Sequence, residues 1–148
     1  MSFEHIRKLG TPEGKTAEYG FPELEGEPTL IVAPATEANK PYYNALLRKS
    51  RRKQRAMGTG KWTVALVKEN RNIDRTLYAK HVVKGWRDVV NDNGDNVDFS
   101  PEACSEFLNA LPWELFDPLR LFVSEADSFQ DEEESPDEEE LAGNSKEG

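Results

Sequence analysis

Between Leu77 and Val123 the large apolar residues fall into short periodic runs, separated by residues that start, stop or turn a chain. Ala103, Cys104, Phe107, Leu108 and Leu111 share one face at helical spacing. Ser100-Pro101-Glu102 gives that helix its start. Serine is a good N-cap, proline fits a first turn that needs no N–H, and a carboxylate suits the positive end of the helix dipole. Pro112 ends it. Leu115, Phe116, Leu119, Phe122, Val123 and Ala126 form the next stripe. Asp117-Pro118 reads as a second cap and first turn, because proline inside a continuous helix costs about 3 kcal/mol. Upstream, Leu77, Tyr78, Val82 and Trp86 predict a helix capped by Asp74, with Gly85 as its stop signal. Asn93-Gly94, inside Asn91–Asn96, predicts a tight turn between Val89-Val90 and Val97–Phe99.

The N-terminal third is less periodic. Residues 1–18 mix charge, Gly and Pro and are expected to form a flexible arm. Phe21–Leu24 and Thr29–Ala33, joined by Glu25-Gly26, predict a short β-hairpin. An uncovered edge near Ile31 would be open to a second copy, so a homo-oligomer is among the expected partners. A helix should begin near Pro41 and bury Tyr42, Tyr43, Leu46 and Leu47, ending at Gly58 and Gly60. Trp62–Val67 divides between helix formers and β-branched residues; helix is the expectation. The fold class expected is therefore mainly α. It comprises a small helical domain over residues 19–130, with a short N-terminal β-hairpin, and a disordered acidic tail over 131–148.

Charge sharpens this division. The chain has 148 residues and a net charge of −9. The acids crowd into the tail: Asp131, Glu132, Glu133, Glu134, Asp137, Glu138, Glu139, Glu140 and Glu147, opposed only by Lys146. From Ala38 to Lys68 the reverse holds: Lys40, Arg48, Lys49, Arg51, Arg52, Lys53, Arg55, Lys61 and Lys68 occur with no Asp or Glu between them. A long apolar run and a signal-peptide core are both missing, so neither a membrane span nor secretion is expected. Cys104 is the sole cysteine, which rules out an internal disulfide and fits a reducing compartment.

Chemistry-bearing motifs do not survive inspection. Gly58-Thr59-Gly60-Lys61-Trp62 lacks the first glycine of a phosphate loop, where Arg55 stands, and has Trp62 where Ser or Thr is needed. Aligning Gly94 with the invariant glycine of a calcium loop puts Val89 and Ser100 at the first and last ligand positions, so both acids are missing. His5 and His81 have no metal-ligand spacing around them, and Cys104 lies on an apolar helix face with no base near it in sequence. Positioned acid–base groups are not evident, so no enzyme and no cofactor are expected. Arg48, Lys49, Arg51, Arg52, Lys53 and Arg55 form a basic patch that could meet nucleic-acid phosphates; in a chain this acidic, a solvated cationic helix is favoured.

Three runs carry a family likeness: EPTLIVAPATEANKPYYNALLR from Glu27, HVVKGWRDVV from His81, and FSPEACSEFLNALPWELFDPLRLF from Phe99, with the Asn-Gly turn between the last two. Over about residues 20–130 this resembles the tail assembly chaperones of long-tailed bacteriophages, with a Gly-Trp, an acidic Gly turn, a Phe-Ser helix start and a Leu-Pro before the last helix. The resemblance implies a chaperone in the cytoplasm of the infected bacterial host, absent from the mature virion. It would hold the tape measure protein soluble until tail tube subunits polymerise around it. A longer, frameshifted form of the chain is a further partner implied. Apolar residues at the last two helices would supply the docking surface: Trp113, Phe116, Leu119 and Phe122, with Trp113 the most exposed. The competing expectation is a small nucleic-acid-binding regulator using Arg48–Arg55, with the acidic tail as an intramolecular competitor.

Overall fold

In a computed structural model, residues 2–12, 14–57 and 64–130 are described, the side chains of 50–57 excepted. The expectations for Gly58, Gly60, Trp62 and the acidic tail, and for the side chains of Arg51, Arg52, Lys53 and Arg55, lie outside the described residues. The elements run α1 (Glu4–Arg7), β1 (Ala17–Gly20), β2 (Thr29–Val32), α2 (Lys40–Met57), α3 (Val64–His81), β3 (Val83–Arg87), α4 (Pro101–Ala110) and α5 (Trp113–Ser124), then a 3-10 turn at Ala126–Phe129.

The three strands form one antiparallel sheet in the order β1-β2-β3. This corrects the expectation of a mainly helical domain with an N-terminal β-hairpin. Helices and a three-stranded sheet share one core, and the third strand comes from the middle of the chain. Two misreadings underlie the error. Phe21–Leu24 is not a strand; it lies in the connection between β1 and β2, where Leu24 donates its N–H to the Phe21 carbonyl. The true first strand, Ala17–Gly20, falls across the boundary expected for the flexible arm. Gly85 is no helix stop. α3 already ends at His81, and Gly85 lies within β3 opposite Ile31. The free edge of β2 needs backbone partners, and Val83–Arg87 supplies them. That requirement is invisible to a helical-periodicity reading of Leu77–Trp86.

Alternation in β2 sets the layers. Leu30 and Val32 are fully buried, while Thr29 and Ile31 face the other side and are half-buried. Tyr19, Leu30 and Trp86 are cross-strand neighbours in one row. Tyr19 meets Phe122 of α5 at 5.1 Å between ring centres, and Trp86 meets Phe107 of α4 at 5.6 Å. Helices therefore cover one face of the sheet, an α+β arrangement. The opposite face carries an exposed ion pair between Glu18 and Arg87.

Local signals hold where they are purely local. Ser100 caps α4 by accepting from the Ala103 N–H at 3.0 Å, with Pro101 in the first turn. Asn91 organises the Asn-Gly turn, its Oδ1 accepting from the Asn93 and Asp95 N–H groups, with Gly94 at φ +83°. The Trp86 indole N–H donates to the Val97 carbonyl beyond this turn. Residues 64–67 are helical, as expected for that part of Trp62–Val67. Gly26 meets two constraints at once: its φ is +81°, and a Cβ there would stand 2.8 Å from the Asp88 carbonyl oxygen.

Pro118 did not break its helix. α5 passes through it, because the lost N–H removes a single bond near the helix start while Phe116, Leu119 and Val123 keep a fully buried stripe. Asp117 is accordingly no cap.

Candidate protein-docking site

The site is built on α3 and α5. On α3, Arg71, Asp74, Arg75 and Tyr78 recur at three- and four-residue spacing and so share a face. On α5, Asp117 and Arg120 are one turn apart and face them. Arg71 grips Asp117 with two parallel bonds, Nε to Oδ1 at 3.0 Å and Nη2 to Oδ2 at 3.1 Å. Arg120 donates to Asp74 through Nε at 2.9 Å and to Asp117 through Nη1 at 3.2 Å. The Tyr42 hydroxyl of α2 donates to Asp74 at 3.2 Å. Arg75 is buried, donates to the Leu108 carbonyl at the end of α4, and lies over the Phe116 ring at 4.5 Å. One network of cations, carboxylates and rings thus joins four helices.

Its two carboxylates differ. Burial pushes Asp74 above the usual carboxylate range, and Arg120 and the Tyr42 hydroxyl offset this only in part. Burial opposes ionisation of Asp117 too, yet hydrogen bonds and charges from Arg71 and Arg120 outweigh it and hold that carboxyl below its usual range. Desolvation pushes the Tyr42 and Tyr78 phenols well above their usual range, Asp74 adding to it in both. Asp74, expected as a helix cap, is instead a mid-helix member of this network.

The outer side of the same elements carries exposed apolar residues among charged ones. Trp113 is 56% exposed, with Arg71 at 6.0 Å from its ring centre, and Leu121 is 63% exposed. Trp113, Asp117 and Leu121 follow one another at four-residue steps on α5. Val64 and Val67, both exposed, precede Arg71 on one face of α3. The Arg71–Asp117 clamp therefore joins two exposed apolar stripes, one on each helix.

Of the four docking residues expected from the sequence, Trp113 alone is broadly exposed. Phe116 and Leu119 are fully buried, and Phe122 is half-buried between Tyr19 and Phe129. Leu121, Val64 and Val67 were missed, as were Arg71, Arg75 and Arg120. Arg71 and Arg75 had a signal in the sequence, as charged residues at helical spacing from the buried Tyr78. In the basic patch, Arg48 and Lys49 are exposed on α2. Cys104 is fully buried and its thiol is pushed up to about 12 by burial, as befits a core residue. Among the described residues no three His, Cys, Asp or Glu stand together as a metal site would need.

Residues 38–144 match the family model of the YdaY prophage protein. The chain belongs to that family. No curated protein and no solved structure matches it. The phage origin that the resemblance implied is thus shown, through the YdaY family. The matched region holds all of α2 to α5, with the arginine network and both exposed stripes, and leaves out β1 and β2.

Proposed function

We propose that this YdaY-family protein is a tail assembly chaperone that acts by binding, in the cytoplasm of the infected bacterium. Its partner is the tape measure protein, held soluble until tail tube subunits assemble. The observation that carries this reading is the exposed Trp113–Leu121 stripe on α5, braced from below by the Arg71–Asp117 clamp and continued by Val64 and Val67. A long helical partner offers apolar residues at three- and four-residue spacing, which suits a stripe of that form. A tryptophan beside a fixed arginine is the composition of a binding hot spot. Phage descent of the family and the resemblance of the Gly-Trp, Phe-Ser and Leu-Pro runs support the same partner.

Coexpression with the tape measure protein of the same phage tests it. The wild-type chain should keep that protein soluble and copurify with it. Trp113→Ala and Leu121→Asp should each weaken the complex about tenfold or more while leaving the unfolding midpoint of the free chain nearly unchanged. Arg48→Ala should alter association rate more than affinity. A tape measure protein that stays insoluble refutes the chaperone reading. Salt-dependent retention on DNA, lost in Arg48→Ala and kept in Trp113→Ala, would favour the nucleic-acid reading instead.

A further inference from the structure

Eight large apolar side chains are exposed among the described residues, and seven of them fall on two surfaces. Four are Val64, Val67, Trp113 and Leu121, the stripes on α3 and α5. The other three, Phe3, Ile6 and Leu9, belong to the N-terminal arm around α1. The arm is wound by its own backbone. Ile6 and Arg7 donate to the Phe3 carbonyl, Lys8 to Glu4, Leu9 to Ile6 and Gly10 to Arg7. Three-residue spacing in such a coil sets Phe3, Ile6 and Leu9 along one side. All three stand outside the hydrophobic core and outside the apolar residues packed against it. Gln130, past the last turn of α5, holds the arm to the body. Its Nε2 donates to the Lys8 and Gly10 carbonyls at 3.1 and 3.4 Å. With the arm held there, Trp113 and Leu121 remain exposed, so the arm leaves its own chain's stripe uncovered.

We propose that the arm of one chain docks on the stripe of a second copy, Phe3, Ile6 and Leu9 covering Trp113 and Leu121. Apolar complementarity is the first argument: nearly all the exposed apolar side chains of this chain lie on these two surfaces, and each chain carries one of each. Charge is the second. The arm, Phe3–Gly10, carries Arg7 and Lys8 against Glu4. The segment Trp113–Phe129 carries Glu114, Asp117, Glu125 and Asp127 against Arg120. Glu114 beside Trp113, and Glu125 one turn past Leu121, are exposed. A basic arm thus meets an acidic border around the stripe. The sheet offers a second copy less. β2, whose edge near Ile31 was expected to be open, lies between β1 and β3. A two-fold axis closes the arrangement, since each chain gives one arm and receives one. The stripe so covered is the one assigned above to the tape measure protein, so self-docking competes with that partner and shields the apolar surface until it arrives. This consequence rests on the function proposed above; the contact between copies does not.

Sedimentation of the full-length chain from about 1 to about 500 μM should show a monomer–dimer equilibrium. Ile6→Asp on the arm and Leu121→Asp on the stripe should each weaken it about tenfold or more. Both residues are exposed, so the unfolding midpoint at the monomeric end of that range should not move. Trp113→Ala is a second stripe variant with the same expected outcome. Mixing decides the arrangement. Ile6→Asp and Leu121→Asp in equal amounts should form a heterodimer, because the intact arm of one still meets the intact stripe of the other. A chain that stays monomeric throughout overturns the proposal. So does a dimer lost in Leu121→Asp and kept in Ile6→Asp, which is stripe on stripe, or the reverse, which is arm on arm. A dimer weakened by both substitutions and not restored by mixing overturns it as well. Ile6→Asp should also bind the tape measure protein about tenfold more tightly than wild type where about a tenth of the wild-type stripes are free. A tape measure protein left insoluble while the dimer behaves as described refutes the chaperone reading and leaves the arm exchange standing.

Discussion

The middle and the C-terminal end of α3 hold cations of opposite fate. Arg71 and Arg75 lie along its middle, turned towards α5 and α4, and each has fixed partners: the Asp117 carboxylate, the Leu108 carbonyl and the Phe116 ring. Lys80 at its C-terminal end, with Lys84 just beyond, is exposed and forms no ion pair among the described residues. The residue types are similar and the sequence separation is small. The difference lies in what the neighbouring elements bring. α5 presents both carboxylate oxygens of Asp117 to Arg71, whereas the cleft beside Lys84 is lined by Lys15 and Lys40. A cation with fixed partners stiffens a core; an exposed one outside any ion pair adds little to stability.

Substitutions in the two regions should separate in the same way. Phe116→Ala removes the ring beneath Arg75 and leaves a cavity in the core. Urea unfolding should register a loss of about 3–5 kcal/mol. A loss under about 1 kcal/mol would show that the network is not seated on a packed core. Arg75→Met keeps much of the volume but takes the donor from the Leu108 carbonyl. The expected loss is about 2–3 kcal/mol, the range for a hydrogen bond from a charged group together with its contact to the ring.

Asp117→Asn should cost about 1 kcal/mol at pH 7, since the carboxylate is partly exposed and solvent screens the pair. Its pH dependence has a definite sign. The folded-state pKa lies below the unfolded value, so the carboxylate stabilises above the unfolded pKa and that contribution disappears as pH falls through the folded pKa. Wild-type and Asp117→Asn stabilities should converge on acidification below about pH 3.8. Asp74 has the opposite sign. Its folded pKa is raised, so its contribution weakens as pH rises through the unfolded and then the folded value, and wild type should gain on Asp74→Asn as pH falls. Parallel pH profiles for the two variants would break the distinction drawn between the carboxylates. The smallest effect belongs to the other end: Lys84→Ser should shift stability by no more than about 0.5 kcal/mol. A larger destabilisation would mean that Lys84 has a structural partner after all.

The sequence by itself determined the features whose cause lies within a few residues. Ser100-Pro101 started α4 because an N-cap oxygen and the next N–H groups are neighbours in the chain. Asn91 and Gly94 made their turn because a short amide side chain reaches its own backbone and glycine accepts positive φ. The helical stripe of Cys104 and Leu108 was also legible from spacing. Only the tertiary structure decided the rest. Val83–Arg87 became a strand because β2 had an unpaired edge some fifty residues earlier in the chain. Pro118 stayed inside α5 because the buried stripe outweighs one missing hydrogen bond. Phe116 and Leu119 went inward while Leu121 and Trp113 stayed outside, since which face of an apolar helix is covered depends on what packs against it. Arg71 and Asp117 are forty-six positions apart in sequence, and no local rule pairs them. Their clamp forms because folding lays α3 beside α5, where a half-buried charge is stable only with its partner in reach.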